Sequence, residues 1–171
     1  MDALKSRIRH VPDFPKAGIL FYDITTLLRD PAGFKQVVDA LAEPQRAAGI
    51  DVVVGIESRG FILGAAVADR LGCGFVPVRK VGKLPSTTLR ATYDLEYGSD
   101  TLEMHSDAID PGQRVLIVDD LLATGGTARA TVDLVKRGGG TVVGLAFLIE
   151  LVALGGRARL EGEPLTVVLQ Y

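Results

Sequence analysis

The sequence predicts an α/β fold in which a central, mostly parallel sheet is flanked by helices. Short, continuously apolar runs rich in β-branched residues recur along the chain, which is typical of strands buried on both faces. Amphipathic helical patterns separate these runs, and such alternation favours parallel strands joined by right-handed crossovers. The length of 171 residues suits one domain, which typically has about 150 residues. We therefore interpret residues 1–171 as a single domain.

Five segments are predicted as strands. Four are strong candidates, because they are apolar throughout and rich in valine, isoleucine and leucine: residues 52–56, 115–118, 141–149 and 165–169. Residues 75–78 form a weaker fifth candidate.

Three segments are predicted as helices. Residues 34–41 place apolar side chains at i, i+3, i+4 and i+7, with Pro31 just before the helix and Pro44 ending or kinking it. Residues 61–71 are nearly all apolar or small, which favours a helix packed tightly on a sheet. Residues 127–137 are amphipathic.

Two segments do not fit this alternation. Residues 11–24 carry closely spaced prolines and glycines and are expected to be folded but irregular. Residues 81–100 are polar and lie between two predicted strands. A connection of that length in a compact domain is usually functional or mobile, so we expect one long loop there.

Charge and composition exclude several classes of protein. With 19 basic and 21 acidic residues, the net charge of −2 gives no reason to expect nucleic acid as a partner. The single cysteine, Cys73, excludes an internal disulfide and fits a reducing, cytoplasmic compartment. The apolar run 142–154 is interrupted by Glu150 and is too short to span a bilayer. No signal-peptide pattern is present, so we expect a soluble cytoplasmic protein with no membrane partner.

Residues 115–127, VLIVDDLLATGGT, carry the sharpest functional signal. A buried strand is expected to end at Asp119 and Asp120, before a short loop with two glycines that opens a helix. Ligands of open α/β sheets bind beyond the carboxyl ends of the strands. Free backbone N–H groups at a helix N-terminus suit a phosphate monoester, and glycine lets the backbone approach it closely.

The two carboxylates would repel a phosphate, so they are expected to face another part of the ligand. A vicinal diol or a hydrated Mg²⁺ would satisfy them, which indicates a ribose 5-phosphate as the ligand. The alternative, in which the acids only cap a helix and the glycines only form a turn, explains less of the pattern. Neither G-x-x-x-x-G-K-[ST] nor a helix-opening G-x-G-x-x-G occurs, which argues against P-loop NTPases and dinucleotide oxidoreductases.

The same thirteen residues resemble the phosphoribosyl pyrophosphate motif of the type I phosphoribosyltransferases. Other segments narrow the resemblance to the adenine-specific members of that family: PDFP at 12–15, GILF at 18–21, ESRGF at 57–61, RK at 79–80 with GKLP at 82–85, LEYG at 95–98 and the closing LQY. The resemblance runs from about Ile8 to the C-terminus. It implies the type I fold, with a small N-terminal hood at about 11–28 and a long flexible catalytic loop at about 81–100.

The phosphate and pyrophosphate sites come partly from the residues and partly from this resemblance. The loop that binds the 5-phosphate comprises Ala123, Thr124, Gly125, Gly126 and Thr127. A second group follows the strand at 52–56 and so reaches the same edge of the sheet. Its members are Glu57, Ser58 and Arg59. The Arg59 side chain and the free backbone N–H groups of this turn suit a diphosphate. The family places a cis bond in that turn, here between Glu57 and Ser58. Three further cations, which could equally form a solvated face, are expected to neutralise pyrophosphate: Arg79, Lys80 and Lys83.

The remaining roles are implied by the resemblance. Glu96 would reach the purine from a closing lid and manage its imidazole proton, with Tyr97 in support. In the hood, Phe21 would stack on the purine while backbone groups near Leu20 read its 6-amino edge. Apolar residues there could equally be core filler, and Tyr22 stands where the family usually has arginine.

The resemblance implies a homodimeric enzyme of purine salvage. It would transfer the 5-phosphoribosyl group of phosphoribosyl pyrophosphate to adenine, forming AMP and pyrophosphate. Its cofactor would be Mg²⁺, held by Asp119 and Asp120 through water. Two alternatives stay open: the same transfer to hypoxanthine, guanine, xanthine or orotate, and a non-catalytic sensor of phosphoribosyl pyrophosphate. A sensor usually adds a DNA-binding module, for which this chain has no basic helix-turn-helix segment.

Overall fold

The computed structural model describes residues 2–94 and 98–171. Its strands are β1 (Arg9–Pro12), β2 (Leu20–Asp23), β3 (Val52–Ile56), β4 (Gly74–Lys80), β5 (Thr88–Asp94), β6 (Ser99–His105), β7 (Arg114–Leu122), β8 (Thr141–Glu150) and β9 (Leu165–Gln170). Its α-helices are α1 (Asp2–Lys5), α2 (Thr25–Leu28), α3 (Pro31–Ala42), α4 (Arg59–Leu71) and α5 (Gly126–Arg137). Three 3₁₀ helices cover Glu43–Ala48, Val152–Leu154 and Gly156–Leu160.

The strands form two separate sheets. Seven of them lie in the order β5-β6-β4-β3-β7-β8-β9, while β1 and β2 pair antiparallel by themselves. From β4 to β9 the large sheet is parallel, and β6 and β5 add an antiparallel edge beside β4. The predicted α/β fold with a central, mostly parallel sheet is thus confirmed.

Helices cover both faces of the large sheet. Alternate side chains of one strand point to opposite faces, so Val53 packs with Leu63 of α4 in one core cluster. Its neighbour Val54 packs with Val132 of α5 in the other cluster. Pro31 is the first residue of α3, where its missing N–H costs nothing, and Asp30 caps that helix by accepting from the Ala32 N–H.

Two expectations about irregular segments were wrong in part. The expected loop at 81–100 contains β5 and the start of β6, because Thr88, Thr92 and Tyr93 suit an extended backbone and pair in register with β6. The segment 11–24 includes part of the β1–β2 pair, with a left-handed turn at Asp13 (φ 56°) between the strands.

Among the described residues, every helix falls short of the length and apolar character that a membrane crossing requires.

Candidate active site

A cavity of about 500 Å³ opens at the carboxyl ends of β3, β4 and β7. We call it the central cavity. Its lining contains these residues proposed from the sequence: Glu57, Ser58, Arg59, Lys80, Asp119, Asp120, Ala123, Thr124, Gly125, Gly126 and Thr127. Three elements that are distant in the sequence therefore meet at one sheet edge, as expected for an open α/β fold.

The two acids lie inside β7, so the expectation that the strand ends at them was wrong. β7 continues to Leu122, because Leu121 and Leu122 pair with Ile149 and Glu150 of β8. Asp119 itself lies opposite Phe147 in this pairing. The backbone of the acids is therefore held by the sheet before any ligand arrives.

Asp119 is a buried carboxyl without a cation in hydrogen-bond contact among the described residues. Its Oδ1 accepts the Asp120 N–H at 2.9 Å. Burial, reinforced by the nearby charge of Asp120, raises the pKa of Asp119 well above the ordinary value of 3.8. Burial thus opposes the charged form of this carboxyl, and a cation bound beside it would favour that form.

Asp120 has a different environment, because it accepts a hydrogen bond from Arg59 Nε and forms an ion pair with that guanidinium. Arg59 also lies over the Phe21 ring, with 5.5 Å between its Cζ and the ring centroid. One side chain thus links the acids of the large sheet to β2 of the small one. Arg59 is the first residue of α4, preceded by a cis peptide bond between Glu57 and Ser58, where the resemblance placed it.

Glu57 collects two of the three predicted cations. It accepts from Arg79 Nε at 3.2 Å and pairs with Lys83 Nζ, and the Lys80 N–H donates to it at 3.2 Å. Burial opposes the ionisation of Glu57, but these donors outweigh burial and lower its pKa. Glu57 and Lys80 line the central cavity, whereas Arg79 and Lys83 are not among its lining residues.

The sequence analysis missed the partners of Lys80. Its Nζ lies 2.8 Å from Asp100 Oδ2, and the Tyr93 hydroxyl donates to the same oxygen at 3.4 Å. Tyr93 lines the central cavity, and burial raises the pKa of its hydroxyl. The available signal for this strand was the alternation of Leu89, Ala91 and Tyr93 with polar residues.

The loop of residues 123–127, hereafter the phosphate loop, joins β7 to α5. Gly125 caps α5 with φ of 81°, a left-handed conformation that favours glycine. The first N–H groups of a helix have no partner within it, and here they open on the central cavity. A helix N-terminus placed in this way suits an anion, and the binding of a phosphate by this loop stays a prediction.

The predicted base-binding residues lie on β2, outside the lining of the central cavity. Leu20 is 44% exposed, and the half-buried Phe21 contacts Phe14 edge-on, with 5.1 Å between ring centroids. Tyr22 instead packs against Tyr171, with 4.1 Å between the centroids of the two rings. Glu96 and Tyr97 lie outside the described residues, so their roles stay predictions.

Comparison with known proteins agrees with this geometry. The family model described as "Phosphoribosyl transferase domain" matches residues 23–164. The chain is 63% identical to the adenine phosphoribosyltransferase of Solibacter usitatus over 171 residues, which cover 100% of this chain and 99% of that protein.

Solved structures give the same result. The adenine phosphoribosyltransferase of Rhodothermus marinus has a TM-score of 0.96 and 59% identity, covering 99% of this chain and 97% of that one. The Saccharomyces cerevisiae enzyme, crystallised with an imino-altritol bisphosphate and adenine, has a TM-score of 0.94 and 43% identity, covering 98% of this chain and 97% of that one.

Proposed function

Because this chain belongs to the adenine phosphoribosyltransferases of the phosphoribosyl transferase family, we propose that the central cavity carries out their reaction. The 5-phosphoribosyl group of phosphoribosyl pyrophosphate passes to adenine: the bond from C1 to the pyrophosphate oxygen breaks, and a bond from C1 to adenine N9 forms with inversion. The products are AMP and pyrophosphate. The observation that carries this proposal is the meeting of a glycine-rich helix N-terminus and a carboxylate pair in one cavity.

The phosphate loop would bind the 5-phosphate. It offers backbone N–H groups at the start of the 12-residue helix α5, and its side-chain hydroxyls belong to Thr124 and Thr127. The positive end of the helix dipole adds to this attraction. With the 5-phosphate held there, the ribose would extend toward β7.

Asp119 and Asp120 would accept hydrogen bonds from the ribose diol and help to hold Mg²⁺. Carboxylate oxygens suit this hard cation, and the buried charge of Asp119 has no cationic partner in contact. Within the described part of the chain, no three acidic, histidine or cysteine side chains form a metal cage. The fit is therefore to a hydrated ion shared with the substrate, which when bound would neutralise charge on the pyrophosphate.

The pyrophosphate would lie between the turn after β3 and the end of β4. Ser58 and Arg59 line that side of the central cavity, and Lys80 faces it with Asp100 as its present partner. Arg79 and Lys83 stay proposed ligands that would have to exchange Glu57 for the pyrophosphate.

Adenine would bind next to Arg59 and Phe21. The Arg59 guanidinium already lies over the Phe21 ring, and a purine ring could stack against either side chain. Backbone groups near Leu20 would read the 6-amino edge. Glu96, with Tyr97 in support, would accept the proton that the imidazole ring of adenine loses when N9 bonds to C1, while water is kept from the reacting C1.

We also propose that the protein is a homodimer. The proposal follows from the resemblance to the family. The large apolar side chains that the described structure leaves exposed include Ile62 on α4 and Val81 just after β4, each 47% exposed, and a dimer would cover some of them. Sedimentation velocity at micromolar concentration should give twice the mass of 18.2 kDa. The cytoplasmic location stays a prediction.

The experiment that tests the function is nucleotide formation from phosphoribosyl pyrophosphate and Mg²⁺, with adenine, hypoxanthine, guanine, xanthine and orotate offered separately. We expect AMP from adenine alone and no product with EDTA. Product from a 6-oxopurine or orotate would contradict the base assignment but keep the phosphate sites. Tight binding of phosphoribosyl pyrophosphate without product from any base would favour the sensor.

Lys80 and Lys83 provide a matched pair for the pyrophosphate site. The Lys80→Met variant is expected to raise KM for phosphoribosyl pyrophosphate about tenfold, since a hydrogen bond from a charged group contributes about 1.5–3 kcal/mol. Lys83→Met should have a smaller effect, because that ammonium is already paired with Glu57 and Lys83 is not among the residues that line the cavity. Steady-state kinetics at saturating adenine measures both. The reverse order of effects would show that Lys83 leaves Glu57 to become the main ligand.

A further inference from the structure

The chain that follows β8 returns to the phosphate loop and packs on its backbone. A Cβ placed on Gly156 would lie 2.9 Å from the nitrogen of Gly125, 3.0 Å from the carbonyl carbon of Ala123 and closer still to that carbonyl's oxygen. Conversely, a Cβ on Gly125 would lie 2.5 Å from the oxygen of Gly156. The two backbones therefore touch with no space for a side chain between them.

Gly156 is required by space and not by conformation. Its neighbour Gly155 has a φ of 64° with nothing near its Cβ position, so Gly155 serves the turn itself. Gly156 is buried and is not among the residues with positive φ. An alanine at position 156 would be acceptable to the backbone there, but it would collide with the phosphate loop.

Residues 155–160, which include Gly156 and which we call the brace, are held in place by contacts with the core and with β8. Leu160 at the end of the brace is 2% exposed in the core. Arg157 donates two hydrogen bonds, of 3.0 and 2.7 Å, to Glu150, whose carboxylate also accepts from Gln170 at 2.8 Å. Because these contacts fix the brace, a side chain added at Gly156 would displace the phosphate loop and not the brace.

We propose that Gly156 is a positioning residue for the phosphate loop, and that its missing side chain sets the affinity for the 5-phosphate of phosphoribosyl pyrophosphate and AMP. The inference rests on the proposed assignment of the phosphate loop. To restore ordinary contact, the Gly125 nitrogen would move by about 0.5 Å, the difference between 2.9 and 3.4 Å. Such a displacement would change the direction of the backbone N–H groups, which must all point at one phosphate to form hydrogen bonds with it.

The test is the Gly156→Ala variant, with Gly74→Ala as its matched control. Gly74 also has no left-handed φ, but its Cβ position lies 3.7 Å or more from its nearest neighbours, so that alanine fits. We expect Gly156→Ala to raise the Kd of AMP and the KM of phosphoribosyl pyrophosphate at least about tenfold, about 1.4 kcal/mol. The KM of adenine should stay within about twofold, and Gly74→Ala should match the parent protein.

AMP binding by a Thr127→Val variant separates the possible failures. If Thr127→Val weakens AMP binding while Gly156→Ala does not, the positioning inference is overturned and the phosphate site stands. If neither variant weakens AMP binding, the phosphate-loop assignment itself has failed. Equal losses for AMP and adenine in Gly156→Ala would indicate general damage and also overturn the inference.

The brace offers a second variant in case Gly156→Ala does not fold. Arg159 is exposed, and its Nη1 lies 3.4 Å from the position of a Cβ on Gly126. The Arg159→Ala variant removes the part of the brace that lies beside Gly126 without adding volume. A several-fold weaker affinity for AMP supports the brace, and unchanged affinity contradicts it.

Discussion

The Asp119→Asn variant is expected to unfold at a higher temperature than the parent protein and to turn over about a hundredfold more slowly. Asparagine is isosteric, and its Oδ1 can still accept the Asp120 N–H. It removes a buried charge that neither a lysine nor an arginine contacts in the described structure. A gain of about 1 kcal/mol would raise the unfolding temperature of a chain of this size by about 3 °C.

The pH dependence of this stability difference has a definite sign. Because the folded-state pKa of Asp119 is raised, the folded protein binds more protons than the unfolded chain in the window above 3.8. The parent therefore loses stability as pH rises through that window, and the variant does not. Thermal unfolding from pH 4 to pH 8 should show a difference that widens with pH. A variant less stable than the parent at neutral pH would contradict this account.

Asp133→Asn is the control for Asp119→Asn. Asp133 lies on α5 in an i,i+4 ion pair with Arg129 at 2.8 Å, and its side chain is about half exposed. Exposed pairs of this kind contribute about 0–1 kcal/mol. We expect parent-like turnover and at most a small loss of stability from this variant.

The Asp120→Asn variant is expected to lose about 100- to 1,000-fold in kcat/KM and to be slightly less stable than the parent. Unlike Asp119, Asp120 has a cationic partner, so the substitution weakens its ion pair with Arg59. The guanidinium is also no longer held between the acid and the Phe21 ring. Binding of the diol and placement of Arg59 should both suffer.

Comparison of the two variants separates catalysis from folding. Both acids are expected to be needed for turnover, yet they should change the free energy of unfolding in opposite directions, because only one of them has a cation beside it. Circular dichroism melts and initial rates on the same preparations measure both quantities. Turnover at the parent rate in either variant would remove that acid from the site.

The strands of the parallel sheet could be predicted because each is apolar without interruption. The run at 52–56 is buried at every position, so composition alone marks it as a central strand. Helix α3 was also predicted, but its start was placed after Pro31, whereas the helix begins at Pro31, because proline suits the first turn of a helix.

The extent of β7 and the existence of β5 could not be predicted in the same way. The charges of Asp119 and Asp120 interrupt the apolar run, although the backbone continues to pair with β8 through Leu122. In β5, only Leu89, Ala91 and Tyr93 alternate with polar residues, at the edge of the sheet. So short and polar a segment resembles a loop in sequence. Pairing with a distant strand overrides local composition in both cases.

The members of the site were easier to predict than their contacts. The sequence placed Arg59, Asp119 and the phosphate loop at one edge, because parallel strands bring their carboxyl ends together. It could not show that Glu57 holds Lys83 while Asp100 holds Lys80, since these pairs join residues separated by 26 and 20 positions. Nor could it show that Gly156 touches Gly125, a contact that depends on how the chain turns after β8.

The separation of the two sheets has a consequence for how such a catalyst can diversify. Under the proposed assignments, the small β1–β2 sheet holds the groups that select the base, and the seven-stranded sheet holds those that grip the phosphates and ribose. Substitutions in the small sheet can change which nucleobase is bound without altering the residues that bind the phosphates and ribose. The exception is Arg59, which contacts both sheets. In this architecture the specificity for the acceptor base can therefore change while the site that binds phosphoribosyl pyrophosphate stays the same.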